Sequence, residues 1–315
     1  MRGSRALRAT GRGLRFAVLP PLILLVFLIA LWELAVTQEW VSEVTLPQPE
    51  DVVTSFADLV TSDIIWNDVW ATFYETVVGF LVGAGLGIAL AIPSGLSNTM
   101  RQMLRPYAIS LQVTPRIAIA PIVIAWFGFG YTSKIVIAAI IAFFPVYVNT
   151  LTGMITVDED EREMFRSLGA SRAQTFTHLM LPSSLPVMFA GLKTAIGLAL
   201  IGAVVGEFIS AQAGLGLLIQ QFSYQLAVAD AFAVLLILTL MGLLLYGLME
   251  FLERITVFWL HDSRLVAKSR RRAARYGDRL AATGGPRGAG GKQRGEPPAL
   301  EGREGTRVYS ARREE

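Results

Sequence analysis

The sequence predicts an all-α integral membrane protein with six transmembrane helices and both termini in the cytoplasm. Three observations predict it. Of 315 residues, 53% are hydrophobic and only 17% charged, with a mean hydropathy of +0.50, whereas a soluble domain carries about 25% charged residues. Six stretches are close to the roughly 20 apolar residues that cross a hydrocarbon core of about 30 Å. The loops between them alternate between basic and non-basic, and Lys and Arg are retained on the cytoplasmic side.

In chain order, residues 1–15 carry five Arg and read as a basic cytoplasmic N-terminus. The first span, 16–36, is interrupted only by Glu33. A cleaved signal peptide would also follow basic residues, but this run is long and no small-x-small cleavage site follows it. The segment 37–69 holds seven acidic residues and no Lys or Arg, so it is assigned outside. The second span runs from Thr72 to Pro93, and the link after it is basic through Arg101 and Arg105. The third, Tyr107 to Phe127, contains Pro115, Arg116 and Pro121, and prolines disrupt helix hydrogen bonding. Lys134–Met154, Leu185–Phe208 and Ala231–Phe251 complete the set, separated by a loop with Arg162, Arg166 and Arg172 and by a link, 209–230, without a basic residue. Lys134 is the one exception to the alternation. The six-span domain thus occupies 16–261. The basic tail 262–315 has almost no large apolar residues and is expected to be disordered, its Arg270–Arg275 run serving as a topology anchor that touches anionic lipid.

Several functions are excluded by what is missing. There is no Cys and there are only two His, His178 and His261, which removes disulfides, thiol chemistry and multi-His metal centres, and no cofactor is expected. The pI near 9.3 does not indicate a nucleic-acid surface, because 5 of the 28 Lys+Arg lie in residues 1–15 and 14 in 264–313. Gly83-Ala-Gly-Leu-Gly87 lies in an apolar run without a strand-turn-helix context, so it is no dinucleotide fingerprint. Gly79, Gly83 and Gly87 recur on one helix face, and Gly191, Gly197, Gly202 and Gly206 suggest a second closely packing helix, a pattern that fits assembly with another copy. Pro145 is expected to kink the fourth span. Glu75, Arg116, Lys193 and Glu207 are either intramembrane charges or residues near helix ends that snorkel to the interface, the reading preferred from sequence. Trp126, Phe127, Phe143, Phe144 and Tyr147 suit either a cavity lining or plain packing. No P-loop is present: Gly291-Lys292 has Pro286 where the first Gly belongs and Gln293 in place of Ser or Thr. The chain is not expected to be an enzyme.

The strongest local signal is the loop 157–182. It is polar and long enough for two short helices hinged at Gly169, a residue that tolerates φ > 0. Met164, Phe165 and Leu168 give an apolar stripe between Glu163 and Arg166, as suits a helix docking into a partner's groove. Glu163-Met-Phe, three residues, Gly169, nine residues and Leu179-x-Leu181-Pro182 together resemble the signature loop of binding-protein-dependent ABC transporter permeases. Arg166-Ser-Leu-Gly-Ala-Ser-Arg172, Leu46-Pro-x-Pro49, Trp126-Phe-Gly-x-Gly130 and Gly214-Leu-Gly216 are similar to the nitrate/sulfonate/taurine branch, and the likeness spans residues 20–260. One departure stands out: Met164 and Phe165 occupy positions where the family has small residues.

The resemblance implies a permease subunit of an ABC importer in the cell membrane, carrying a small anionic solute. Glu163, Phe165, Arg166, Leu168, Gly169, Ala170 and Ser171 would form a coupling helix between the fourth and fifth spans, seated on a separate cytoplasmic ATPase subunit. An external solute-binding protein, a second permease copy and membrane lipid would be the other partners, with no nucleic acid. An ion-coupled secondary transporter is the competing reading. It would need paired ionisable residues within the spans, which the sequence does not display.

Overall fold

Apolar stretches become helices here because in hydrocarbon each backbone N–H and C=O must be satisfied within its own segment. The computed structural model describes residues 4–42, 45–63, 65–210 and 212–259, with side chains from residue 19 onward. The expected tail 262–315 lies outside the described residues, as does the Arg270–Arg275 run. Among the described residues every regular element is helical.

The helices are α1 (Ser4–Thr37), α2 (Pro49–Thr61), α3 (Ile65–Leu96), α4 (Asn98–Val113), α5 (Ala120–Phe127), α6 (Tyr131–Ile155), α7 (Glu159–Ser167), α8 (Arg172–Thr175), α9 (Leu181–Ser210), α10 (Leu215–Tyr224) and α11 (Val228–Thr256). A π-helical turn, Phe176–Met180, makes α8 and α9 one continuous rod. Five helices are long and apolar enough to cross a membrane, and a sixth is counted if the bent pair α4–α5 is one broken span.

That bent pair corrects the expected third span. Residues 107–127 are not one helix but the end of α4, a 3-10 turn over Arg116–Ile119, and α5, meeting at 88°. Pro115 is the cause. It has no N–H to donate and drives the preceding residue out of the helical region, and Thr114 sits at φ −65°, ψ 128°. Pro121 falls in the first turn of α5, where a missing N–H costs nothing. Pro145, by contrast, lies inside an unbroken α6. The carbonyl it leaves without a helical partner, that of Ile141, accepts from Arg116 Nη1 at 3.4 Å. Arg116 is thus neither snorkelling nor free: its guanidinium also lies 4.9 Å from the Phe144 ring centre.

The centre of the bundle is α6, held between α3 and α9. A Cβ on Gly79, Gly83 or Gly87 would come within 2.9 Å of the α6 backbone oxygens of Ile135, Ala139 or Phe143. On α9, Gly191 and Gly202 meet Pro145 O and Ala138 Cα of α6 equally closely, each at 2.9 Å. Apart from Gly197, which has nothing within 4 Å, both glycine faces are therefore used inside one chain, against the same helix. Phe80, Ala84, Ala138, Ala142, Val146, Ala195, Ile196 and Ala199 fill the seam, and Val234, Met241 and Leu245 of α11 close it from the side.

Two elements stand apart from this core. Only 6% of the apolar stretch of α1 is buried inside the chain; Trp32 anchors it through Nε1 to Pro47 O at 2.9 Å and a ring contact with Phe232. The acidic segment 37–69 contains a helix that sequence reading did not assign. Pro49 begins α2, and Glu50 and Asp51 in its first turn suit the positive end of the helix dipole.

The α3–α6 contact gives a direct test. Gly83→Val places a side chain 2.4 Å from Ala139 O and is expected to destabilise by about 1–3 kcal/mol or more through overpacking. Gly85→Ala, with nothing within 4 Å, is expected to be neutral. Thermal unfolding of the two purified variants in detergent reads the difference.

Candidate functional site

The chain order Ile155–Leu181 builds a compact, largely exposed structure at one end of α6. Asp158 caps α7, its carboxylate accepting from Asp160 N at 3.1 Å, and Glu159, Asp160 and Glu161 occupy the first turn. The helix stops in a Schellman arrangement: Gly169 N donates to Arg166 O at 2.9 Å and Ala170 N to Phe165 O at 3.0 Å. Gly169 stands at φ +72°, the left-handed position that sequence reading anticipated. Ser171 then starts α8 with a reciprocal capping box to Gln174. Two side chains bind this unit to the bundle. Arg162 Nη2 donates to Met154 O at 2.9 Å, and Phe165 packs with Phe176 and Ile92 against Met154, Val157, Leu179 and Met180.

The seven expected contact residues therefore divide. Phe165 turns inward and Ala170 is half-buried, while Glu163, Arg166, Leu168, Gly169 and Ser171 are exposed. Leu168 is 77% exposed and Met164 52%, an apolar pair on the outer side. Glu163 makes no hydrogen bond or ion pair among the described residues. Arg166 stands 3.9 Å from Glu159 in an exposed pair of small energetic value. The bulky Phe165 does not enlarge the outer surface; it fills the loop's own core.

At the opposite end of α6 the structure assembles charges that sequence reading treated one by one. Lys134 Nζ donates to Glu75 Oε1 at 2.8 Å, and the two side chains are 3% and 0% exposed. Glu207, also fully buried, accepts from Thr72 Oγ1 and from Gly216 N, both at 2.6 Å. Thr72 Oγ1 in turn accepts from Leu215 N at 2.9 Å, and Asp68 Oδ1 accepts from Gly214 N at 2.7 Å. The unpaired N–H groups that open α10 are thus capped by side chains of α3 and α9 rather than by its own sequence. Gly214, at φ +131°, and Gly216 must lack side chains, since a Cβ on either would lie within 2.7 Å of the Glu207 carboxylate. Glu75 and Glu207 do not snorkel, a correction to the sequence reading. A second, half-buried pair, Lys193 with Glu253 at 2.7 Å, joins α9 to α11. One signal pointed here: Lys134 broke the charge alternation.

Among the described residues no group of three or more His, Asp or Glu is placed to hold a metal ion. Of the five aromatic candidates, Trp126 and Phe127 are exposed, Phe143 stacks on Tyr147 at 5.9 Å, and Phe144 and Tyr147 border cavities along α6.

Residues 83–257 match the family described as the binding-protein-dependent transport system inner membrane component. The chain belongs to that family. It is a multi-pass permease-family protein of the inner, or cytoplasmic, membrane. A Bacillus subtilis permease protein named for aliphatic sulfonates transport is 33% identical over 78% of this chain and 89% of the relative. The riboflavin transport system permease protein of Chloroflexus aurantiacus is 34% identical over 75% and 88%. The formylaminopyrimidine transport permease protein of Halalkalibacterium halodurans is 32% identical over 78% and 97%. The same fold is found in the MetNI methionine ABC transporter in inward-facing conformations, with a TM-score of 0.55, 18% identity, and coverage of 62% of this permease and 99% of that chain.

The buried ion pair of the permease makes a stability prediction. Lys134→Met strands Glu75 beside Glu207 without a countercharge and is expected to cost about 3–5 kcal/mol. Adding Glu75→Gln restores part of that loss. A double-mutant cycle on unfolding in detergent measures the coupling, and strict additivity would show the pair to contribute nothing.

Proposed function

We propose that this permease forms the translocation pathway of an ABC importer for a small anionic solute of the nitrate, sulfonate or taurine type. It crosses the membrane six times, counting α4–α5 as one broken span, with both termini cytoplasmic. Two copies pair to enclose the path. ATP is hydrolysed on separate cytoplasmic subunits, and an external binding protein delivers the solute. The basic tail contacts anionic lipid.

The observation that carries this reading is the loop at the end of α6. A short helix is fixed at both ends by caps, tied to the bundle through Arg162 and Phe165, and left with Met164 and Leu168 facing outward. An apolar pair exposed on an otherwise immobilised charged helix is the form of a docking element, and Glu163 and Arg166 beside it supply polar contacts. Because Arg162 grips the last turn of α6, a push on α7 is passed to the central helix of the bundle. Switching between inward- and outward-facing states then follows from differential contacts of the ATPase and of the binding protein with the two states. The competing ion-coupled reading rests on the buried cluster of Lys134, Glu75 and Glu207, in which Glu75 Oε2 has no hydrogen-bond partner among the described residues, while Glu207 is taken up by Thr72 and the start of α10.

Gly169→Trp, which needs a left-handed backbone at a bulky residue, and Glu163→Lys are both expected to abolish uptake and ATPase stimulation while membrane insertion stays intact. Leu168→Asp is expected to weaken ATPase capture by about 10-fold or more, as for loss of an apolar anchor. Uptake in whole cells and co-purification in gentle detergent measure these outcomes. Normal transport by the first two variants would overturn the assignment.

A further inference from the structure

A cavity of about 470 Å³ lies between α4 and the half of α6 that leads into the loop, a volume within the usual range for small-ligand sites. Its α4 wall is a polar stripe at helical spacing, Arg101, Gln102, Arg105 and, two turns on, Gln112; Tyr147 and Thr152 of α6 stand among the facing residues. No carboxylate lines it. Neither Arg101 nor Arg105 makes an ion pair among the described residues, and Arg101 Nε is buried with no acceptor. An orphaned charged donor is costly to bury and is rarely left unmatched. The helix that carries these groups has no fully buried residue of its own within the chain. Arg116, in the neighbouring apolar cavity, is already committed to Ile141 O and Phe144, which leaves Arg101 and Arg105 as the guanidinium groups with unused donors here.

We propose that this cavity is an oxyanion-binding site in which Arg101 and Arg105 hold a sulfonate- or phosphate-type group. The planar guanidinium fork matches two oxygens of such a group at once, which an ammonium does not. Gln102 and Gln112 add neutral donors for the remaining oxygens. The chemistry is shared by two sources, a transported anionic solute and the headgroup of an anionic lipid. That the bound anion is cargo rests on the importer reading; that the site binds oxyanions does not.

The test uses the full chain in nanodiscs. In phosphatidylcholine discs, methanesulfonate is titrated against the wild type and the Arg101→Gln, Arg105→Gln double variant, with Arg254→Gln on α11 as a control for loss of an arginine outside the cavity. The double variant is expected to bind about 10-fold or more weakly, since each lost charged hydrogen bond is a substantial fraction of the binding energy, and the control to bind as the wild type. In discs containing phosphatidylglycerol, selective retention of that lipid by the wild type and its loss in the double variant would assign the site to a headgroup and equally support the proposal. If the Gln variants fail to fold, Arg101→Lys with Arg105→Lys replaces them. An intermediate loss is then expected, and unchanged affinity would overturn the guanidinium assignment. Unchanged binding of both probes across all variants overturns the site. Loss of site binding with ATPase stimulation intact leaves the importer reading standing, and anion binding by a wild-type chain that stimulates no ATPase rejects that reading alone.

Discussion

The close approach of α6 to α3 and α9 is the constraint from which the rest of the bundle follows. Backbone-to-side-chain contact at this distance requires glycine on both flanking helices, and Gly79, Gly83, Gly87, Gly191 and Gly202 supply it. In a bilayer, where lipid tails are as apolar as leucine, such packing is a principal source of helix association. A helix held this tightly cannot tilt independently of its neighbours. Whatever is fixed at either end of α6 is therefore fixed relative to α3 and α9 as well.

Both ends of α6 carry something that needs fixing. At the start, Lys134 meets Glu75 beside Glu207, and all three side chains are buried. Burying charges is expensive, and the cost is offset only when each finds partners. Here Thr72 and the Gly216 N–H partner Glu207, Thr72 also takes the Leu215 N–H, and Glu75 Oε2 is left with no hydrogen-bond partner among the described residues, so the cluster also determines where α10 begins. At the other end Arg162 holds Met154 O, and Phe165 seals a small apolar cluster under α7. One helix thus joins a buried ionic cluster to the exposed short helix α7. Coupling between distant sites travels through elements of this kind when they have two discrete arrangements.

The prolines show how position decides consequence. Pro115 breaks the chain by 88° because it drives its neighbour Thr114 out of the helical region. Pro145 leaves α6 continuous because Arg116 takes up the freed Ile141 carbonyl and α9 packs closely alongside. The two effects are linked: the break at Pro115 is what brings Arg116 to α6.

The sequence by itself determined the class, most span positions and the geometry of the loop. These depend on local quantities: apolar run length, loop charge, the spacing from Glu163 to Pro182, and a glycine at the only position of the loop with positive φ. The tertiary structure decided which charges meet, because Glu75, Lys134 and Glu207 are separated by 59 residues or more and no periodicity links them. It also decided that Phe165 turns inward, that both glycine faces serve one helix, and that α4 leaves its arginines beside a cavity. Each of these is a matter of which faces are brought together, and a linear pattern records the faces without recording their partners.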